Sequence, residues 1–101
     1  MPNRLDQESR KELLGPIFYS GWEMVEGRDA LCKRFQFKNF SEAFGWMTRV
    51  AMFAEKINHH PEWANVYGRV DVTLATHSAS GITELDLRMA KKMEALVASS
   101  K

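Results

Sequence analysis

The sequence predicts an α+β fold: an antiparallel four-stranded sheet with three helices packed on one face, in the order α-β-β-α-β-β-α. Two observations carry this. Period-2 alternation of apolar and polar residues occurs in two pairs of short segments, each pair closed by a brief glycine-containing connection. Patterns with a 3.6-residue period stand before, between and after those pairs, and strand pairs set apart by helices favour an antiparallel sheet over a βαβ arrangement. No repeat or Pro/Gly/Ser-rich linker divides the 101 residues, so residues 1–101 read as one domain, long enough to bury roughly two-thirds of its unfolded surface in one core.

Ser9 to Phe18 carries Leu13, Leu14 and Phe18 and predicts a short first helix, with Pro16 inside it and Gly21 ending it. Trp22–Val25 and Ala30–Phe37 predict two strands around the turn-forming EGRD. Asn39 followed three residues later by Glu42 resembles a capping box and opens a helix to about Asn58. This helix has two apolar stripes. Phe40, Phe44, Met47, Ala51 and Ala54 form one; Ala43, Trp46, Val50, Phe53 and Ile57 form another, rotated by about 100°. One stripe can pack on the sheet, and the other needs a different cover. The expected cover is self-association, with Phe44, Trp46, Met47, Val50 and Phe53 as interface residues.

Trp63–Val66 and Arg69–Thr76 predict a second hairpin turning at Tyr67-Gly68, which puts His77 on the polar side at the strand end. In GITELDLRMAKKMEAL, Thr83 is the expected cap of the last helix, Asp86 its third residue, and Ile82 a staple to Leu87.

Composition narrows the function classes. Hydrophobic residues make up 45% and charged residues 27%, with Lys+Arg 14 against Asp+Glu 13. That balance is ordinary for a globular chain and lacks the clustered cations of a phosphate-binding surface, so no direct nucleic-acid contact is expected. The one cysteine, Cys32, cannot form an internal disulfide, which fits a reducing compartment. The polar N-terminal stretch MPNRLDQESR does not read as a signal peptide, and no apolar run approaches the ~20 residues of a membrane span. A cytoplasmic or nuclear setting is expected.

The chemistry concentrates in EKINHHPEW, Glu55 to Trp63, because His59, His60 and His77 are all the histidines present. One histidine near a helix C-terminus, His59, can be explained by the helix dipole, worth ~0.3 to 1 kcal/mol, but that does not account for His60 and His77 as well. Three readings are open: helix-end residues, metal ligands, or the acid and base of an active site. Zinc takes three histidines readily, but adjacent histidines rarely converge and no Cys or HxH spacing assists, so no metal is expected. Glu55 stands four residues before His59, on the same helical face, where it can orient that imidazole.

With GWEMVEGRDAL, FKNFSEAFGWMTRVA, AEKINHHPEWANVY and TLATH followed by GITELD, the chain resembles the pterin-4a-carbinolamine dehydratases. That family is also known as the dimerization cofactor of the hepatocyte nuclear factor homeoproteins. The family's pattern of acid, two histidines, proline, aromatic, later histidine and aspartate falls on Glu55, His59, His60, Pro61, Tyr67, His77 and Asp86. The resemblance implies dehydration of 4a-hydroxytetrahydrobiopterin, the product released by aromatic amino acid hydroxylases, to the quinonoid dihydropterin. It requires no metal, nucleophile or redox cofactor.

By the same resemblance His59 and His77 share acid and base duty around C4a and N5, and His60 holds the pterin. Glu55 tunes His59, Asp86 supports the cluster and Trp22 walls the pocket. A homotetramer, a dimer of dimers, is implied. So is a second role as partner of the dimerization segment of a homeodomain transcription factor, in the cytoplasm and the nucleus. The alternative is a binding-only paralogue. Two departures stand out: Leu85 occupies a position where the family pattern has arginine, and Ala79 one where some members have cysteine.

Overall fold

The computed structural model describes residues 2–99. Helix α1 spans Gln7–Tyr19, strands β1 and β2 span Glu23–Met24 and Leu31–Gln36, and helix α2 spans Phe40–Ile57. Strands β3 and β4 follow at Glu62–Val66 and Arg69–Leu74, then a short 3-10 turn at His77–Ala79 and helix α3 at Glu84–Ser99. All neighbours in the sheet are antiparallel, in the order β1-β2-β4-β3. The expected α+β class and element order are those observed.

The caps set the helix boundaries. Asp6 accepts from the Ser9 backbone N–H at 2.7 Å and Asn39 from that of Glu42 at 2.9 Å, each satisfying a donor that the first helical turn leaves free. Pro16 sits inside α1, a few residues before its end. The chain leaves α1 through Gly21 at φ 104, a region open to glycine at little cost. α2 ends on Asn58 in the left-handed conformation, φ 54 and ψ 48, with its N–H bonded back to the last turn.

Alternation along the strands separates the two faces. Val70, Val72 and Leu74 of β4 are buried, as are Leu31 and Phe35 of β2, and all five join residues of the three helices in one core. The opposite face is polar: Arg34 and Asp71 pair in register across β2 and β4, with Nε–Oδ1 at 2.6 Å. The N-terminal segment is tied down by Arg10, which grips both oxygens of Asp29 at 2.7 and 2.8 Å, while Asp29 also accepts from the Ile82 N–H. Among the described residues no helix is long and apolar enough to cross a membrane.

The second stripe of α2, expected to need an outside cover, packs on the chain's own core, and Ala54 and Met47 of the first stripe pack there with it. Trp46 is 0% exposed and Val50 is fully buried; both belong to the chain's own core. Trp46 rests on Phe35 at a centroid distance of 4.6 Å and on Phe37 at 5.1 Å, and its indole N–H donates to the Met93 carbonyl at 3.1 Å. Phe53 and Met47 are partly buried against that core. The outward apolar side chains are Phe40 and Phe44, with rings 5.5 Å apart, and Met52 about two turns further along the helix. Of the five residues expected at an interface, Trp46 and Val50 are buried, Met47 and Phe53 are half-buried, and Phe44 is 53% exposed. The aromatic surface offered by β2 decides the matter, because the tryptophan is the largest apolar group that can cover it.

Candidate active site

The end of α2, the start of β3, the end of β4 and the start of α3 meet around one cleft of about 650 Å³, lined among others by Ile57, His59, His60, Pro61, Glu62, Thr76, His77 and Leu85. The volume suits a small bicyclic ligand. All three histidines line it.

Each imidazole has a different carboxylate, and each uses Nε2. His59, 8% exposed, meets Asp86 Oδ1 at 2.6 Å. His60 meets Glu55 Oε1 at 2.8 Å and His77 meets Glu62 Oε2 at 3.0 Å, both in solvent-exposed settings. The expectation that Glu55 orients His59 is therefore corrected to His60. Its premise was an i,i+4 helical spacing, but α2 stops at Ile57 and left-handed Asn58 breaks the 3.6-residue progression. That single residue turns His59 inward and leaves His60 outside. The adjacent imidazoles diverge, and among the described residues no group of three or more His, Cys, Asp or Glu is placed to hold a metal ion.

Asp86 does two jobs from a fully buried position. Its Oδ2 accepts from the Thr83 backbone N–H and the Thr76 hydroxyl, both at 2.9 Å, while Oδ1 holds His59. Thr83 Oγ1 lies 2.7 Å from the Thr76 hydroxyl and accepts from the Leu85 N–H at 3.2 Å. The predicted cap of α3 is thus present, and the same carboxylate that starts the helix anchors an imidazole of the cleft. A buried carboxylate with several donors is fixed in orientation, so the ring it holds is fixed too.

Glu62 was missed by sequence reasoning. It follows the HHP triplet directly, and its only signal in the sequence is that adjacency. Arg28, in the β1–β2 loop, clamps it with two guanidinium N–H groups, one of them 2.9 Å from Oε1. Arg28 first, and His77 second, push the Glu62 carboxyl down to about 2.

Two expected pocket residues lie elsewhere. Trp22 is buried in the core, edge-on to Phe35, with its indole N–H on Glu94 of α3. Tyr67 occupies the β3–β4 turn at φ 53 and is 65% exposed. Extended strands advance about 3.3 Å per residue, so Tyr67 stands roughly 16 Å from the Glu62 end of its strand. Pro61 and Leu85 do line the cleft, and Leu85 gives an apolar wall beside Ile57. Ala79 lies in the 3-10 turn that begins with His77.

An α+β scaffold that gathers carboxylate-held imidazoles around one open cleft defines a protein equipped for proton transfer. The model of the family Pterin 4 alpha carbinolamine dehydratase matches residues 3–96. The chain belongs to that family, a family of hydro-lyases.

A relative from Ruegeria pomeroyi, provisionally named pterin-4-alpha-carbinolamine dehydratase, is 58% identical over 96 residues, covering 95% of this chain and 99% of its own. One from Brucella ovis with the same provisional name is 54% identical and covers 93% and 95%. A crystal structure from Brucella melitensis, described as a transcriptional coactivator/pterin dehydratase, superposes with a TM-score of 0.85 at 54% identity, covering 93% of this chain and 98% of that one. A pterin dehydratase-like RuBisCO assembly factor of the alpha-carboxysome shares the fold alone, with a TM-score of 0.64 at 22% identity, covering 74% and 87%.

Proposed function

We propose that the chain removes water from 4a-hydroxytetrahydrobiopterin to give quinonoid dihydrobiopterin, in the recycling of tetrahydrobiopterin, with His59 and His77 as acid and base. The observation that carries the reading is the placing of both imidazoles on one cleft, each with a carboxylate on Nε2. In the reaction a proton is delivered to the 4a-hydroxyl as its C–O bond breaks. The N5 proton leaves to a base, and its bonding pair forms the C=N bond. Imidazoles serve both transfers near neutral pH, because histidine's ordinary pKa is about 6.5.

In this reading Asp86 orients His59, Glu55 orients His60, and His60 with Pro61 helps to hold the pterin. Ile57 and Leu85 offer the ring system an apolar wall. The test is stopped-flow absorbance of enzymatically generated 4a-hydroxytetrahydropterin. Its decay should be accelerated by the purified chain, and no acceleration would overturn the reading.

The outward apolar side chains of α2 favour a second role beside the first. Phe40 and Phe44 pair as an exposed aromatic patch on a helix that also exposes Met52, the kind of surface that marks an interface. It suits a homotetramer built as a dimer of dimers, or a dimer bound to the dimerization segment of a homeodomain protein, acting in the cytoplasm and nucleus. Phe44→Glu should reduce the assembly mass by light scattering while changing the denaturation midpoint little, since exposed substitutions typically stay within about 0.5 kcal/mol. An unchanged mass would remove α2 from the interface.

A further inference from the structure

Arg28 and Glu62 lie outside the acid–base set above, yet they meet His77 in a single cluster. Arg28 is carried by the β1–β2 loop, Glu62 is the first residue of β3, and His77 opens the turn after β4. The guanidinium spans both carboxylate oxygens, a fork geometry that fixes the carboxylate plane. His77 reaches Oε2 through Nε2 at 3.0 Å. His59 and His60 share the cleft with His77, and Asp86 is held behind His59.

The donor and acceptor roles in this cluster follow from its charges. With Arg28 alongside, Glu62 remains a carboxylate down to about pH 2, and a carboxylate only accepts. The proton between Glu62 and His77 therefore belongs to Nε2. A neutral imidazole with its hydrogen on Nε2 carries its lone pair on Nδ1, and Nδ1 of His77 has no hydrogen-bond partner among the described residues.

We infer that Arg28 and Glu62 are positioning residues, a clamp that fixes the Nε2–H tautomer of His77 and leaves Nδ1 as the atom that exchanges a proton with substrate. This rests on the reading of His77 as an acid–base group in dehydration. Arg28 acts at one remove: it holds the carboxylate that holds the ring. His59 is held by the same atom, Nε2, against Asp86, so both imidazoles turn Nε2 toward a protein carboxylate.

The experiment combines a double-mutant cycle with nitrogen-15 spectra of the full chain. Glu62→Ala should lower kcat by about 10- to 100-fold, the scale on which partners that orient an imidazole act, with KM little changed. The loss should vanish in a His77→Ala background, since Glu62 works only through that ring. Arg28→Met leaves Glu62 in place, and should give a smaller loss that vanishes in the same background. It serves as the second variant if Glu62→Ala disturbs the start of β3.

Independently of turnover, two-bond proton–nitrogen spectra above the histidine titration range should show His77 protonated on Nε2. In Glu62→Ala the Nδ1–H form should gain population. An Nδ1–H signal for His77 in the unaltered chain, or a Glu62→Ala loss of equal size with and without His77, would overturn the clamp. Full activity of His77→Ala would instead overturn the acid–base assignment on which the clamp rests, and the spectra would still report the tautomer.

Discussion

His77→Ala is expected to slow dehydration by about 10² to 10⁴-fold, the range for loss of a positioned acid or base, without measurable change in folding stability. The His77 side chain is 78% exposed and its hydrogen-bond partner Glu62 keeps Arg28, so its removal leaves no buried group unsatisfied. His59→Ala should match that kinetic loss and also destabilise the fold. It strips Oδ1 of the fully buried Asp86 of its partner, and an unsatisfied buried acceptor costs about 1 to 3 kcal/mol, more when charged. Stopped-flow rates and urea unfolding on the same two preparations separate these effects. A His59→Ala chain with unaltered turnover would remove that ring from the chemistry, and one with unaltered stability would show that the Asp86 contact is energetically idle.

The largest stability effect belongs to Trp46. Trp46→Ala should cost about 3 to 5 kcal/mol, as for other buried aromatic truncations, and it also leaves the Met93 carbonyl without its indole donor. Domains of this kind are stable by only about 5 to 15 kcal/mol. The variant should therefore lose about a fifth or more of its stability, read as a lower urea midpoint. A loss under about 1 kcal/mol would contradict the packing of α2 on Phe35 and Phe37. The contrast with Phe44→Glu is the useful one: one residue of α2 holds the monomer together, and its neighbour two positions earlier faces outward.

That contrast shows what the sequence could express. Periodicity revealed two apolar stripes on α2, since both repeat at helical spacing, but it carries no information about which one meets the sheet. Phe35, Phe37 and Trp63 make that choice from two other parts of the chain. The capping residues Asn39 and Thr83 and the strand alternation of β4 were legible because their physics is local.

The site was legible as a set of histidines and not as a set of pairs. Partners of His59 and His77 lie 27 and 15 positions away, and the one local pairing that was inferred failed at Asn58, where the helix stops. Glu62 went unnoticed because its meaning depends on Arg28, 34 positions distant.

The walls of the cleft are gathered from Pro2, from residues 57–62, from residues 75–78 and from Leu85, so the end of α2, the β3–β4 hairpin and the start of α3 must all be in place before those walls face one another. Local helices can form early, but contacts between distant segments come only after the loops between them have closed. A chain that has not made those contacts keeps His77 away from the adjacent pair His59 and His60, and His59 away from Asp86. In the proposed dehydratase the cleft is thus completed only by the tertiary structure, and a chain that has lost its fold should lose the activity with it.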